Sequence, residues 1–296
     1  MMKIGIPRSL YYYYYKDLWL NFFKILGIEV VISPKTTREI FELGSNYSSD
    51  EMCVSMKDYI GHVVYLKNKC DYILVPRIDN FGRNNQTCTN FLSTYDIVHN
   101  LVSESVINYN INELNGETEE LGLISVALKL GIPKKIAKKA YHAAKRQEYK
   151  IKREKICNNL NKLKSDKVKI LLVSHEYNTY NDYIGKPILD MLKKLNVEVI
   201  NSDLFYSKDE YKKYSDGLYW NYSKKNISSI DMCKDKIAGI IFLSSFPCGL
   251  DSLVNELVLR KINKPYINIV IDDIESLGGI ETRIESFIDI ISIKEG

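Results

Sequence analysis

Long apolar runs are missing from this sequence. None approaches the roughly 18 to 20 residues needed to cross a bilayer, and the longest are strand-sized, such as Ala238 to Leu243. The first residues also lack the basic n-region, long h-region and small-residue cleavage site of a secretory signal. A soluble, cytoplasmic chain without membrane contact is the expectation. No glycine pattern of the phosphate-cradling kind occurs, which argues against nucleotide hydrolysis by this chain. Histidine is scarce, with four residues in 296, and no local pair of ligands has zinc-finger spacing. Neither sign of charge dominates: 41 Lys and Arg face 37 Asp and Glu, and a net +4 gives little support to nucleic-acid binding.

What is present fits a globular chain. Hydrophobic residues make up 45% and charged residues 26%, close to soluble averages. The length suits two α/β domains of ordinary size. Without an export pattern, the six cysteines read as thiols, metal ligands or buried apolar residues rather than as a disulfide framework.

The order of patterns predicts the layout. Lys3 to Pro7, Glu29 to Ser33 and Tyr72 to Pro76 are strand-like, with helix-compatible stretches at Leu10 to Leu26, Thr37 to Leu43 and Glu51 to Leu66 between them. This strand-helix alternation favours a parallel sheet covered by helices. From Glu113 to about Lys164 the strand signal disappears, and Gly131-Ile132-Pro133 punctuates a helical connection. The first pattern then restarts: strands at Val168 to Ser174, Val197 to Asn201, Ala238 to Ser244 and Tyr266 to Ile271, helices at Tyr183 to Leu195 and from near Glu281. The predicted domains are residues 1–112, a helical connection 113–166, and residues 167–296. The basic run Lys134 to Lys155 reads as a solvated helix face, with docking of an acidic partner as the alternative.

Three cysteines fall where ligands gather in α/β folds, beyond the carboxyl ends of strands. Cys53 is expected in the first turn of the helix ending at Leu66, capped by Ser48, Ser49 or Asp50, where the positive end of the helix dipole favours a thiolate. Cys88 sits in the polar loop Asn80 to Asn90. Cys248 lies in Phe246-Pro247-Cys248-Gly249, where Gly249 would permit close backbone approach and Asp251 or Ser252 would cap a following helix. Three thiolates suit a soft metal or an iron-sulfur cluster, and unligated loop cysteines are the alternative. Cys70, Cys157 and Cys233 read as structural.

At these residues the sequence resembles the 2-hydroxyacyl-CoA dehydratase-related family, in the group of acyl-CoA dehydratase activase-related proteins. The resemblance is carried by Lys3 to Arg8 with the run Tyr11 to Tyr15, by Asp50 to Cys53, Gly61 to Val63, Tyr72 to Arg77, Phe246 to Gly249 and Thr282 to Glu285. It implies two tandem Rossmann-like domains with mainly parallel sheets, gripping a [4Fe-4S] or higher-nuclearity cluster through Cys53, Cys88 and Cys248. It also implies an ATP-dependent activator or electron-donor partner, a low-potential dehydratase or reductase chemistry on an acyl-CoA or other small molecule, and a dimer. One departure stands out. Members of this group often carry an acidic residue followed by His in the segment that here reads Asp272-Asp273-Ile274-Glu275.

Other residues carry two readings each. His175 could hydrogen-bond a cluster or move a proton, or could cap and pack its loop, with Tyr177 beside it as a substrate contact. Arg8 and Arg77 follow prolines at strand ends, placed to hold a phosphate or carboxylate, to offset cluster charge, or to pair with loop carboxylates. Tyr11 to Tyr15 reads mainly as core packing, and His62 as a buried hydrogen-bonded histidine. Three functions follow: a cluster-carrying redox protein, a cluster carrier or electron relay without its own substrate, and a small-ligand module with idle cysteines.

Overall fold

The computed structural model describes residues 2–102, 106–205, 209–272 and 278–295. Of the segment compared above with its family, residues 273–275 lie outside the described ones. The chain divides into two compact units, Met1–Lys152 with Tyr219–Asn221, and Arg153–Leu218 with Tyr222–Gly296.

In the first unit the order is β1 (Lys3–Ile6), α1 (Tyr11–Ile25), β2 (Glu29–Ile32), α2 (Arg38–Ser45), α3 (Val54–Leu66), β3 (Tyr72–Leu74), β4 (Arg77–Asn80), α4 (Thr89–Val102), β5 (Val106–Ile107), β6 (Asn110–Asn112) and α5 (Glu119–Lys129). Then comes α6 (Lys134–Lys162), inside which the unit boundary falls. The sheet runs β2-β1-β3-β5, every pairing parallel, and β4 pairs with β6 as a separate two-stranded parallel ribbon. This ribbon is an addition to the sequence reading, which stopped the third strand at Pro76 with Arg77 at its end and predicted no strand beyond it. Its strands are short and polar and carry no apolar run to announce them.

In the second unit β7 (Lys169–Val173), α7 (Glu176–Thr179), α8 (Gly185–Lys194) and β8 (Glu198–Asn201) are followed by α9 (Asn221–Cys233), β9 (Gly239–Ser245), α10 (Gly249–Leu259), β10 (Tyr266–Ile271) and α11 (Gly278–Glu295). The sheet order is β10-β9-β7-β8, again wholly parallel. Both sheets are therefore mainly parallel Rossmann-like α/β sheets, and in each the winding reverses beside the first strand. That reversal lies between β1 and β3 in one unit and between β7 and β9 in the other, and it opens a crevice at the strands' carboxyl ends. No helix among the described residues is long and apolar enough to cross a membrane.

Beneath the first sheet's carboxyl edge the core is aromatic. Tyr11, Tyr12, Tyr13 and Tyr15 are buried, so the tyrosine run packs. Tyr11 sits edge-on to Tyr59 and Phe91, with ring centroids 5.6 and 4.7 Å away, and its hydroxyl donates to the Phe91 carbonyl at 2.9 Å. Rings of this size bury roughly 150 to 250 Å² each, which makes them the largest apolar contributors to the fold.

A buried polar network ties two loops to α3. The fully buried His62 places Nδ1 2.8 Å from Ser33 Oγ and Nε2 3.0 Å from Thr36 Oγ1, with Asp58 Oδ1 3.5 Å away. The Ser9 hydroxyl donates to the same Asp58 carboxylate, and the Arg8 N–H donates to Ser33 Oγ at 2.7 Å. The chain after β1 and after β2 is thus fixed to one helix.

The helices α2 and α3 cross backbone to backbone. A Cβ added to Gly61 would lie 2.0 Å from the Ile40 carbonyl, and one added to Gly44 would lie 1.9 Å from the Lys57 carbonyl. Neither obstacle is a flexible side chain, so the helices must separate. On the edge strand β10, the carbonyls of Pro265 and Ile271 accept from Ile240 and Phe246 across the sheet, and the Arg283 guanidinium donates to the Asn268 carbonyl at 2.6 Å.

Gly61→Ala is expected to lower unfolding stability by about 2 to 3 kcal/mol through overpacking. Gly249→Ala, whose added Cβ meets nothing within 4 Å, should change it by no more than about 0.5 kcal/mol. Urea unfolding of both variants checks the contrast; equal midpoints would remove the case for a helix crossing set by glycine.

Candidate functional site

Each of the three singled-out cysteines occupies the position immediately before a helix. Cys53 is the N-cap of α3, with extended backbone, and its carbonyl accepts the N–H groups of Met56 and Lys57 at 2.8 and 3.0 Å. This corrects the expectation that Cys53 lies inside the first turn behind a cap at Ser48 to Asp50. Its half-buried Sγ accepts from Asn90 Nδ2 at 3.3 Å.

Cys88 directly precedes α4, and its carbonyl accepts the Phe91 N–H at 3.1 Å. The preceding Thr87 hydroxyl donates to the Ile78 carbonyl at 2.5 Å, which fastens this loop to β4. Because Asn90 stands two residues after Cys88 and reaches Cys53, the beginnings of α3 and α4 lie side by side within the first unit.

Cys248 is the N-cap of α10. Its Sγ accepts the Asp251 N–H at 3.4 Å, and its carbonyl accepts the Ser252 N–H at 3.1 Å and the Ser252 hydroxyl at 2.9 Å. Here too the cysteine takes the capping place that the sequence reading gave to Asp251 or Ser252. Gly249 makes no close approach. An N–H aimed at sulfur, at the positive end of a helix, stabilises negative charge there.

His175 and Cys248 follow β7 and β9, the two strands that flank the crevice of the second unit. His175 Nε2 is 3.0 Å from Asp251 Oδ1, so one residue, Asp251, holds the thiol sulfur with its backbone and the imidazole with its side chain. The imidazole lies flat on Tyr177, centroids 4.9 Å apart, with Tyr222 at its edge. His175 also stands as the N-cap of α7, and both it and Tyr177 are less than a tenth exposed.

The arginines differ. Arg8 is half-buried at the carboxyl end of β1. Arg77 opens β4 and is already engaged: its guanidinium meets Asp96 at 2.5 Å and lies 5.2 Å from the Tyr95 ring centre. The carboxylate that Arg77 pairs with stands in α4 and not in a loop.

Sequence reasoning missed a second acidic centre on the same edge of the second unit. Asp203, two residues beyond β8 and almost wholly buried, receives the Tyr180 hydroxyl, 3.3 and 3.1 Å from its two oxygens. Asn201 Nδ2 donates to the Tyr180 oxygen at 3.2 Å, and Lys225 meets Glu176 at 3.3 Å nearby. Burial pushes the Asp203 carboxyl up to about 7, assisted by the Glu176 carboxylate and opposed by Lys225 and the Tyr180 hydroxyl. Burial, then the Asp203 charge, raises the Tyr180 phenol. Position alone, just past a strand end, was the available signal.

Cys53 and Cys88 belong to the first unit and Cys248 to the second. Among the described residues no group of three or more His, Cys, Asp or Glu side chains is gathered so as to hold a metal ion. The donors themselves fit a soft metal or an iron-sulfur group: thiols, each at a helix start, two with N–H donors on sulfur.

With its folded value raised above the ordinary carboxyl range, Asp203 binds its proton more tightly in the native chain than in the unfolded one. Its contribution to stability is complete below about pH 4 and is lost as the pH rises to about 7. Asp203→Asn should flatten that part of the stability curve, as read from urea midpoints between about pH 4 and 8. An unchanged slope would place the carboxyl outside this description.

The family model described as CoA enzyme activase uncharacterised domain (DUF2229) matches residues 3–205. No curated protein matches the chain. Among solved structures, the SBP FpvC of Pseudomonas aeruginosa in complex with Ni2+ is 14% identical, covers 100% of this chain and 98% of that one, and has a TM-score of 0.29. The same SBP in complex with Mn2+ is 14% identical with a TM-score of 0.28, covering 100% and 99%. Scores this low carry no argument. Cys53, Cys88 and His175 lie inside the family match, and Cys248 lies beyond its end. With more than half of its length matched, and with the motifs from Lys3 to Arg77 inside that match, the chain belongs to the family of the CoA enzyme activase uncharacterised domain, consistent with the 2-hydroxyacyl-CoA dehydratase activase-related proteins.

Proposed function

We propose that this chain is an iron-sulfur redox protein related to 2-hydroxyacyl-CoA dehydratase subunits. In this reading Cys53, Cys88 and Cys248 hold a [4Fe-4S] cluster that an ATP-dependent partner reduces. The observation that carries the reading is the repeated placement of these three thiols at the starts of α3, α4 and α10, on the carboxyl edges of parallel sheets. When bound, a cluster with three protein ligands supplies one-electron chemistry and leaves one iron an exchangeable position.

The surrounding residues have definite tasks. Asn90 and the Asp251 backbone donate hydrogen bonds to sulfur, which steadies the thiolates of Cys53 and Cys248. The imidazole of His175, held by Asp251 and stacked on Tyr177, is the candidate proton carrier on this edge. Arg8, at the carboxyl end of β1, is the candidate contact for a phosphate or carboxylate of an acyl-CoA.

A relay without a substrate of its own is the second reading. One local observation favours it: the hollow beside Asp251, lined by Val173, Ser174, Ser223, Asn226 and Leu243, admits little more than a water molecule, so an acyl group is not accommodated at that place.

Anaerobic preparation and reconstitution should yield about four irons and a matching amount of acid-labile sulfide per chain. Cys53→Ala, Cys88→Ala and Cys248→Ala should each lower that content below about one iron, while Cys157→Ala, on the exposed side of α6, keeps it. Wild type that stays iron-free after reconstitution sinks the proposal. Retention of iron together with no acyl-CoA binding in calorimetry selects the relay.

A further inference from the structure

The helix α6 concentrates the positive charge of the protein. It holds eleven Lys and Arg against two Glu, a net +9, whereas the whole chain carries +4, so all other residues together carry −5. Within the first unit this charge is sorted by direction. The inner face presents Ala137, Ala140, Tyr141 and Ala144, all buried. Two of the cations flanking that face are paired, Lys138 with Glu120 at 3.7 Å, and Lys145 with Glu119 at 2.7 Å and Glu148 at 2.8 Å, while Lys134 at the start of the helix is exposed. Tyr141 adds a hydrogen bond to Glu119 at 2.8 Å, so the helix is anchored on its neighbour α5.

The outer face is different. Lys135, Lys139, Arg146 and Lys150 are exposed and have no ion-pair partner among the described residues. At 3.6 residues per turn their spacings of four, seven and four keep them within about 60° of one another, along a line of about 22 Å. No acidic and no apolar residue interrupts that line between Lys135 and Lys150. Simple solvation does not require four cations to be left bare along one line while Lys138 and Lys145, nearer the buried face, are neutralised.

We propose that this ridge is a docking surface for the acidic face of a partner protein. A line of about 22 Å matches one side of a protein interface of ordinary size, about 800 Å² per partner. The net −5 on the remainder of the chain opposes approach of an extended polyanion or an anionic bilayer, while a compact acidic patch can engage the ridge alone. Complementary charge of this kind sets encounter rate and orientation more than affinity. The proposal stands independently of whether the cysteines hold a cluster.

The test uses the full chain and a fluorescein-labelled hexa-glutamate peptide, about 20 Å when extended and so no longer than the ridge, followed by anisotropy at about 20 mM and about 200 mM salt. Wild type should bind at low salt and release the peptide at high salt. The charge reversal Lys139→Glu/Arg146→Glu should weaken binding at least about tenfold, and Lys24→Glu/Lys67→Glu, an equal change of charge on exposed residues elsewhere, less than about twofold. Lys139→Gln/Arg146→Gln serves as a milder variant, and unchanged unfolding midpoints exclude loss of fold. Absence of peptide binding by wild type, or equal weakening in the control, overturns the proposal. So does tighter, ridge-dependent binding of a single-stranded decanucleotide or of phosphatidylserine vesicles.

Discussion

Parallel pairing is the constraint from which the rest follows. When every strand of a sheet runs the same way, all carboxyl ends share one edge, and the helices that follow begin there with N–H groups still seeking acceptors. Both sheets of this chain obey it. In the first unit that edge receives Arg8 after β1 and the starts of α3 and α4; in the second unit it receives His175 after β7, Cys248 after β9 and the starts of α7 and α10. Placing a cysteine as the first capped residue on such an edge needs no special fold; it needs only that the residue before the helix be Cys instead of Ser or Asp.

Rigidity beneath that edge has two sources in the first unit. The Asp58–His62 network joins the loops after β1 and β2 to α3, and the glycine crossing presses α2 against α3. Cys53 starts the same helix that carries Asp58, Gly61 and His62. Its position is thus set by contacts one to two turns away, made of buried groups that a side-chain change at the surface would not disturb. In the second unit Asp251 has the equivalent place, joining thiol and imidazole through two different atoms.

Much of this was legible in the sequence because buried parallel strands are apolar throughout. Tyr266 to Ile271 was read with its observed limits, and the strands at Lys3, Glu29 and Lys169 to within a residue or two. The ribbon of β4 and β6 was not legible: Arg-Ile-Asp-Asn and Asn-Ile-Asn contain one apolar residue each, and their pairing depends on the side chains of Asn80 and Asn112 meeting at 2.9 Å. Nor was α9, whose Ser and Asn residues more often mark loops, although Ser223, Ser228 and Ser229 are buried in it. Cys88 was read in a loop and Cys248 ahead of a helix, where they stand, whereas Cys53 was read inside the first turn of a helix that it precedes. Their capping role was not legible, since Cys is an unusual cap and better cap residues stood nearby. The Asp203–Tyr180 pair depends on the end of α7 meeting the end of β8, which no local pattern announces.

The second sheet ends in β10, and a strand at the margin of a sheet is a template onto which another chain can add. The two carbonyls that face inward, Pro265 and Ile271, fix the alternation, so the carbonyl of Asn268 faces the open side. That acceptor, midway along the strand, is the one taken by Arg283 from α11. An incoming strand would find its central hydrogen bond already made and a guanidinium in its path. Tyr266 and Val270 leave apolar surface on this margin, and one arginine from α11 sets a charge and a filled acceptor in the middle of it, the kind of feature that discourages edge-to-edge pairing of strands.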